Sequence, residues 1–155
     1  REPVDIVSLI HEVLAMVSYL TKYREKTISF AASDTCIAEV NGAEIKQVVL
    51  NLVANGLEAM EKGGTLTIHM IQRTDQVLLE FRDDGCGMSP EVLDHIFEPF
   101  FTSKHGGQGT GLGLSISHRI VQQHGGTICA KSAGPGTGST MTVCLPRRAN
   151  LRSAA

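Results

Sequence analysis

The sequence predicts an α+β fold, a two-layer sandwich built from three longer helices and five or six strands. Three observations predict it. Three stretches carry apolar residues at helical spacing. Five or six others read as strands by alternation and length. The 16 glycines gather mostly at a few separated loops between these elements. At 155 residues the chain fits one domain with a real core.

Taken in order, residues 5 to about 23 place Ile6, Leu9, Ile10, Val13, Leu14, Val17 and Leu20 at helical spacing, with Asp5 as the cap. Residues 26–32 and 36–40 read as two strands, with Ser33-Asp34 as the turn. A second helix covers about residues 43–61 and stops at Gly63-Gly64. Residues 65–71 alternate as a strand. Residues 77–82 form another, which leads directly into Asp83-Asp84-Gly85-Cys86-Gly87. Ser89-Pro90-Glu91 places a capping serine before a proline at the first helical position. Residues 96–101 are a compact aromatic segment, and residues 102–110 are polar and glycine-rich. A third long helix spans about residues 111–124. Strands at 127–132 and 139–145 follow, joined by a glycine-rich turn. Pro146 closes the domain, 1–146, and 147–155 reads as a flexible tail.

Fourteen basic against 16 acidic residues give a net charge of −2, with no basic excess for nucleic acid or an anionic membrane. Cys36, Cys86, Cys129 and Cys144 form no CxxC pair and no zinc spacing, which reads as reduced thiols in the cytoplasm. No apolar run approaches the ~18 residues of a membrane span. The start, Arg1-Glu2-Pro3, is neither a signal peptide nor an initiator methionine, which reads as a piece of a longer protein.

Three features carry chemistry. The second helix is apolar around most of its circumference, yet Gln47, Asn51, Asn55 and Glu58 share one face at steps of four, four and three. A solvated face usually carries lysine and glutamate, and asparagine costs a helix a few tenths of a kcal/mol. Two amides one turn apart therefore mark the wall of a polar pocket. Amide oxygens are hard, neutral ligands suited to one or two positions on Mg²⁺.

The second feature is the acidic turn. An aspartate on a pocket floor accepts a hydrogen bond from an exocyclic amine such as adenine N6, and alternate glycines let backbone approach a flat ring. A calcium loop is the rival, but the other EF-hand ligands are missing. The third is the loop Gly107-Gln108-Gly109-Thr110-Gly111-Leu112-Gly113, which opens a helix and offers backbone N–H groups at its positive end. It is neither a P-loop nor a dinucleotide fingerprint. With the preceding polar segment it reads as a lid over phosphates, to which Lys104 and His105 add charge.

An amide-striped helix, a D-x-G-x-G turn, an aromatic segment, a glycine lid and a helix, in that order, resemble the catalytic ATP-binding domain of two-component sensor histidine kinases. That family shares the Bergerat fold with gyrase, heat-shock chaperone and mismatch-repair ATPases. The resemblance runs from about Pro3 to Pro146. Its N box is Gln47 to Ala59, its first glycine box Asp83 to Gly87, its F box Ile96 to Lys104, and its second glycine box Gly109 to Ser115. The wording around Asn55, Phe97 and His124 is similar to the nitrogen-, oxygen- and dicarboxylate-sensing branch.

The resemblance implies a mixed sheet of about five strands against three helices, with ATP and Mg²⁺ as cofactors. It implies that Asn55 ligates Mg²⁺, that Asn51 assists the phosphates or metal, and that Asp83 reads the adenine amine. Gly85 and Gly87 would shape the adenine pocket. Gly109, Thr110, Gly111, Leu112 and Gly113 would cradle phosphates, with Lys104 beside them. Phe97, Phe100 and Phe101 would anchor the lid and touch partner helices. Gly56 departs from the family, which usually has alanine there.

The family's phosphate-accepting histidine sits on a separate helical hairpin. His11-Glu12 matches only the first two letters of that motif and lies too close to the N box. The chain is thus expected to be the nucleotide half of the kinase, with residues 1–4 ending the linker from absent helices. Its implied partners are those helices, in a homodimeric parent, and a downstream response regulator. It is expected to be monomeric alone, free of nucleic acid and direct membrane contact, and cytoplasmic whether or not the parent is anchored. The alternative is a self-contained ATPase or an anti-sigma-type serine kinase on the same fold. Those relatives place a glutamate four residues before the metal asparagine. Asn51 stands there and is no general base.

Overall fold

Asp5 starts the helical layer. Its carboxylate accepts the Val7 N–H at 3.2 Å and the Ser8 hydroxyl at 2.6 Å, and the Ser8 bond holds its carboxyl below the usual carboxylate range. The computed structural model describes residues 1–20, 23–32, 34–102 and 111–148. In chain order they form β1 (Glu2–Asp5), α1 (Ile6–Ser18), β2 (Thr27–Phe30), β3 (Ile37–Val40), α2 (Gly42–Ala59), β4 (Thr65–Gln72), β5 (Gln76–Asp83), α3 (Pro90–His95), α4 (Gly113–Gln123), β6 (Thr127–Lys131) and β7 (Ser139–Pro146). The main sheet runs β2-β4-β5-β7-β6. It is mixed, because β2 joins β4 in parallel while the other pairings are antiparallel. This is the expected α+β sandwich.

The core lies between the sheet and the longer helices. β5 and β7 alternate, so Val77, Leu79 and Phe81 share a buried face with Met141, Val143 and Leu145. Against it α2 buries Ile45, Val48, Val49, Leu52, Val53 and Leu57, while α1 adds Ile6, Leu9, Ile10, Val13 and Val17. Each such side chain is worth about 1.5–3 kcal/mol of transfer free energy. Gly56 now has a reason. A Cβ there would stand 2.8 Å from Leu66 Cδ1, in space that β4 fills instead.

Three local readings differ. The strands at 26–32 and 36–40 exist but do not pair with each other. β2 pairs with β4, Thr27 opposite Thr65, and β3 pairs with β1, Ile37 opposite Asp5. Alternation specifies a strand, not its neighbour. The expected turn includes Ser33, which lies outside the described residues. β1 itself was not legible. It is four residues long and carries Pro3, which an edge strand tolerates. Arg147, assigned to the tail, is tied in: its N–H donates to the Asp75 carbonyl and its guanidinium to the Ile37 and Arg73 carbonyls.

Candidate functional site

Asp83 ends β5 on the helix-facing side and is 4 % exposed. Its Oδ1 accepts the Gly85 N–H at 2.9 Å, and its Oδ2 accepts the Ser139 hydroxyl at 2.9 Å. A buried carboxylate with two donors is fixed in plane and keeps lone pairs for a further donor. Ser139 was missed by the sequence reading. The available signal was its parity: it alternates inward with Met141, Val143 and Leu145, directly opposite Asp83 in the ladder. Asp84 turns away and accepts the Thr65 N–H at 3.2 Å.

Gly85 and Gly87 are required by protein backbone. A Cβ on Gly85 would lie 2.3 Å from the Ala59 carbonyl oxygen, and one on Gly87, at φ +68°, would lie 2.2 Å from the Gly134 carbonyl oxygen. The turn is then stitched on both sides. The Cys86 N–H donates to the Ala59 carbonyl, and the Gly136 and Gly138 N–H groups donate to the Cys86 and Gly85 carbonyls. Ser132 joins the same knot, accepting the Met88 N–H and donating to the Gly138 carbonyl.

The acidic turn therefore sits at the C-terminal end of α2. Asn55 and Asn51 follow one and two turns back, so the face from Ala59 to Asn51 spans about 12 Å. Asn55 is half-buried, and its carboxamide has no hydrogen-bond partner among the described residues. Asn51 is engaged: its Nδ2 donates to the Gly113 carbonyl at 3.1 Å and to the buried Ser117 hydroxyl at 3.2 Å. That contact brings the start of α4 onto α2. α4 begins at Gly113 with no side-chain cap, which leaves its first turn to be satisfied by other groups. Leu112 immediately precedes it.

The aromatic segment braces this end. Phe97 packs on His118 of α4 with ring centroids 5.2 Å apart, and Phe101 packs on His95 of α3 at 5.7 Å. The Glu98 carboxylate, 2.8 Å from His95 Nδ1, pushes that imidazole's pKa up. Phe100 is exposed at φ +66°, and its N–H donates to the Gly111 carbonyl at 2.9 Å. Gly111 has φ +69°, and a Cβ there would stand 2.5 Å from the Phe100 carbonyl carbon. Phe100 and Gly111 thus meet backbone to backbone. Lys104, His105, Gly109 and Thr110 lie outside the described residues, as does the rest of the expected lid beyond Thr102.

The structure thus brings together Asn51, Gly111, Leu112 and Gly113 at one end, with Asp83, Gly85 and Gly87 at the other. Asn55 lies between them. An open groove of about 760 Å³ follows the outer face of the sheet, where Thr67, Arg82, Thr140 and Lys131 stand in register, and its lining extends to Asp83, Asp84 and Ser139. Among the described residues no cluster of three or more His, Cys, Asp or Glu forms a metal centre, and no helix is long and apolar enough to cross a membrane.

Comparison with known proteins agrees with this geometry. The sensor histidine kinase ZraS of Escherichia coli (strain K12) is 39% identical over 147 residues, which covers 94% of this chain and 31% of ZraS. The chain spans about a third of that relative's length. The solved mycobacterial sensor histidine kinase MprB superposes with a TM-score of 0.84 at 26% identity, covering 96% of this chain and 98% of that one. Full-length ShkA, solved in complex with AMPPNP, gives 0.77 at 26% identity, covering 93% of this chain and 30% of that one. Residues 40–149 match the profile of one family. The chain belongs to that family, the histidine kinase-, DNA gyrase B-, and HSP90-like ATPases.

Proposed function

We propose that this chain is the catalytic domain of a sensor histidine kinase, which moves the γ-phosphoryl of ATP to a histidine on a separate dimerising helical domain of its parent. The observation that carries the reading is the buried Asp83 carboxylate, fixed by Ser139 and Gly85 at one end of α2. At the other end Asn51 is joined to the start of α4. That arrangement suits adenine at Asp83 and phosphates at α4. The AMPPNP bound by ShkA supports the class of ligand.

In this reading Asp83 accepts from the adenine amine, while Gly85, pressed onto α2 at Ala59, and Gly87, pressed onto the turn at Gly134, shape the adenine pocket. Gly109, Thr110, Gly111, Leu112 and Gly113 offer backbone N–H groups to the phosphates, with Lys104 adding charge. Asn55 fits Mg²⁺, because its carboxamide has no hydrogen-bond partner among the described residues and an amide oxygen suits a hard cation that keeps phosphates and waters as its other ligands. Bound Mg²⁺ supplies charge neutralisation at the phosphates. Asn51 holds α4 in place and carries no basic lone pair, so position 51 does not supply the general base of a self-contained ATPase or serine kinase. Catalysis here is positioning and charge stabilisation.

Residues 1–146 make up the domain in this proposal. Its partners are those helices in a homodimeric parent and a response regulator, and its compartment is the cytoplasm. The test is incubation with γ-labelled ATP and Mg²⁺, alone and with the dimerising helices of the parent. Label is expected on the helices only, acid-labile and alkali-stable. Robust self-labelling, or acid-stable phosphoserine on a partner, would contradict it.

A further inference from the structure

The α2–α4 contact contains a second polar clasp, at the end far from Asn51. His124 follows α4 and is 3 % exposed. Its Nδ1 lies 2.8 Å from the Ile120 carbonyl oxygen, and its Nε2 lies 3.1 Å from the backbone nitrogen of Asn41. A carbonyl only accepts and a backbone N–H only donates, so the ring is neutral, with its proton on Nδ1 and its Nε2 lone pair on Asn41. The Glu44 carboxylate stands 3.8 Å from the same nitrogen, beyond hydrogen-bond reach.

The chain after His124 holds the ring there. Gly125 takes φ +74°, its N–H donates to the Gln122 carbonyl at 2.9 Å, and the Gly126 N–H donates to the Val121 carbonyl at 3.0 Å. This is the paired closure of a helix end around a left-handed glycine. A Cβ on Gly126 would lie 2.2 Å from the Cys144 carbonyl oxygen, so the turn seats directly on β7.

The two clasps grip matching lengths of antiparallel helix. Asn41 to Asn51 is ten residues of α2 and Gly113 to His124 is eleven of α4. At the helical rise those spans are about 15 Å and about 17 Å. Apolar burial between the clasps is non-directional and tolerates sliding. A hydrogen bond does not, since it weakens over a few tenths of an ångström.

We infer that His124 is a positioning residue: its Nε2 on the Asn41 N–H sets where α4 lies along α2, and so where Gly113 meets Asn51. The consequence for nucleotide rests on the proposed function, while the clasp itself does not. Neither Asn41 nor His124 contacts the proposed nucleotide site, so any effect on binding travels through the α4 register.

Two variants of this chain separate the bond from the ring. His124→Phe keeps a flat buried ring and removes both nitrogens. His124→Gln offers an amide oxygen to Asn41 and an amide N–H to Ile120. Hydrogen exchange at the Asn41 amide is followed without nucleotide, and Leu79 in the central strand serves as the global reference. Binding of a non-hydrolysable ATP analogue with Mg²⁺ is then measured by calorimetry. In His124→Phe the Asn41 amide should exchange about tenfold faster relative to Leu79, and analogue affinity should fall about tenfold, the scale of one lost buried hydrogen bond. In His124→Gln both should return close to wild type. Unchanged Asn41 exchange or unchanged affinity in His124→Phe overturns the inference. Equal losses in both variants also overturn it, because they assign the effect to ring packing. If the wild type fails to bind the analogue, the proposed function falls, and the Asn41 exchange comparison alone decides the clasp.

Discussion

Ser139 faces Asp83 across the β5–β7 ladder and donates its hydroxyl to Asp83 Oδ2 at 2.9 Å. With the Gly85 N–H on Oδ1, this orients a buried carboxylate before any ligand arrives. Ser139→Ala removes one bond to a charged group, a term of about 1.5–3 kcal/mol. Affinity for ADP should fall about tenfold or more as the carboxylate loses its fixed plane. Calorimetric titration checks this, and an unchanged affinity would remove Ser139 from the adenine floor.

Asn55 and Asn51 should separate on substitution. The Asn55 carboxamide has no hydrogen-bond partner among the described residues, while Asn51 is bound to α4. Asn55→Ala should weaken nucleotide binding in Mg²⁺ and leave binding in a chelator nearly intact. Asn51→Ala should weaken both, because it frees the start of α4. Equal losses for Asn55→Ala with and without Mg²⁺ would make Asn55 a scaffold residue.

Gly138 and Gly136 provide an internal control for the knot behind the acidic turn. Both have positive φ, +72° and +80°, but only at Gly138 would a Cβ meet backbone, 2.2 Å from the Asp83 carbonyl oxygen. Gly136→Ala should cost about 1–2 kcal/mol, the left-handed penalty alone. Gly138→Ala should cost more than that and lower nucleotide affinity too, since it displaces Asp83. Urea unfolding compares the two variants, and equal costs would contradict the close approach.

His95 reports on the base of the aromatic segment. Its hydrogen bond with Glu98 raises its pKa, followed by the charges of Glu98, Asp94 and Glu91. A folded value above the unfolded one means the contribution is full below the unfolded value and is lost as pH rises through the folded one. Glu98→Gln should therefore move the His95 titration down towards the ordinary imidazole range. NMR titration of its ring protons reads this directly, and an unmoved midpoint would dissolve the pair.

Much of the fold was legible because its signals are local. The aspartate cap and the apolar period of α1 and the inward alternation of β5 and β7 each lie within a few residues. The candidate site was legible through residue types unusual for their element, such as Asn51 and Asn55 on a buried helix and Asp83 at a strand end. What stayed hidden was partner choice. Nothing within residues 26–40 says that β2 joins β4 or that β3 joins β1. Gly56 made no sense until Leu66, ten residues on, filled the space of its missing methyl. Gly85 and Gly87 were legible as close approaches, and the carbonyls of Ala59 and Gly134 that they approach lie far off in the sequence.

Selection of adenine by Asp83 is decided by one calorimetric comparison. The wild-type chain is titrated with ATP, ADP and GDP in Mg²⁺, then compared with Asp83→Asn. The substitution keeps the shape and turns an acceptor into a donor facing the exocyclic amine. A buried donor left unpaired costs about 1–3 kcal/mol, roughly ten- to a hundredfold in affinity. The account predicts that loss for ATP and ADP, with GDP binding weak in the wild type. Unchanged adenine-nucleotide affinity in Asp83→Asn, or equal binding of GDP and ADP by the wild type, would contradict it.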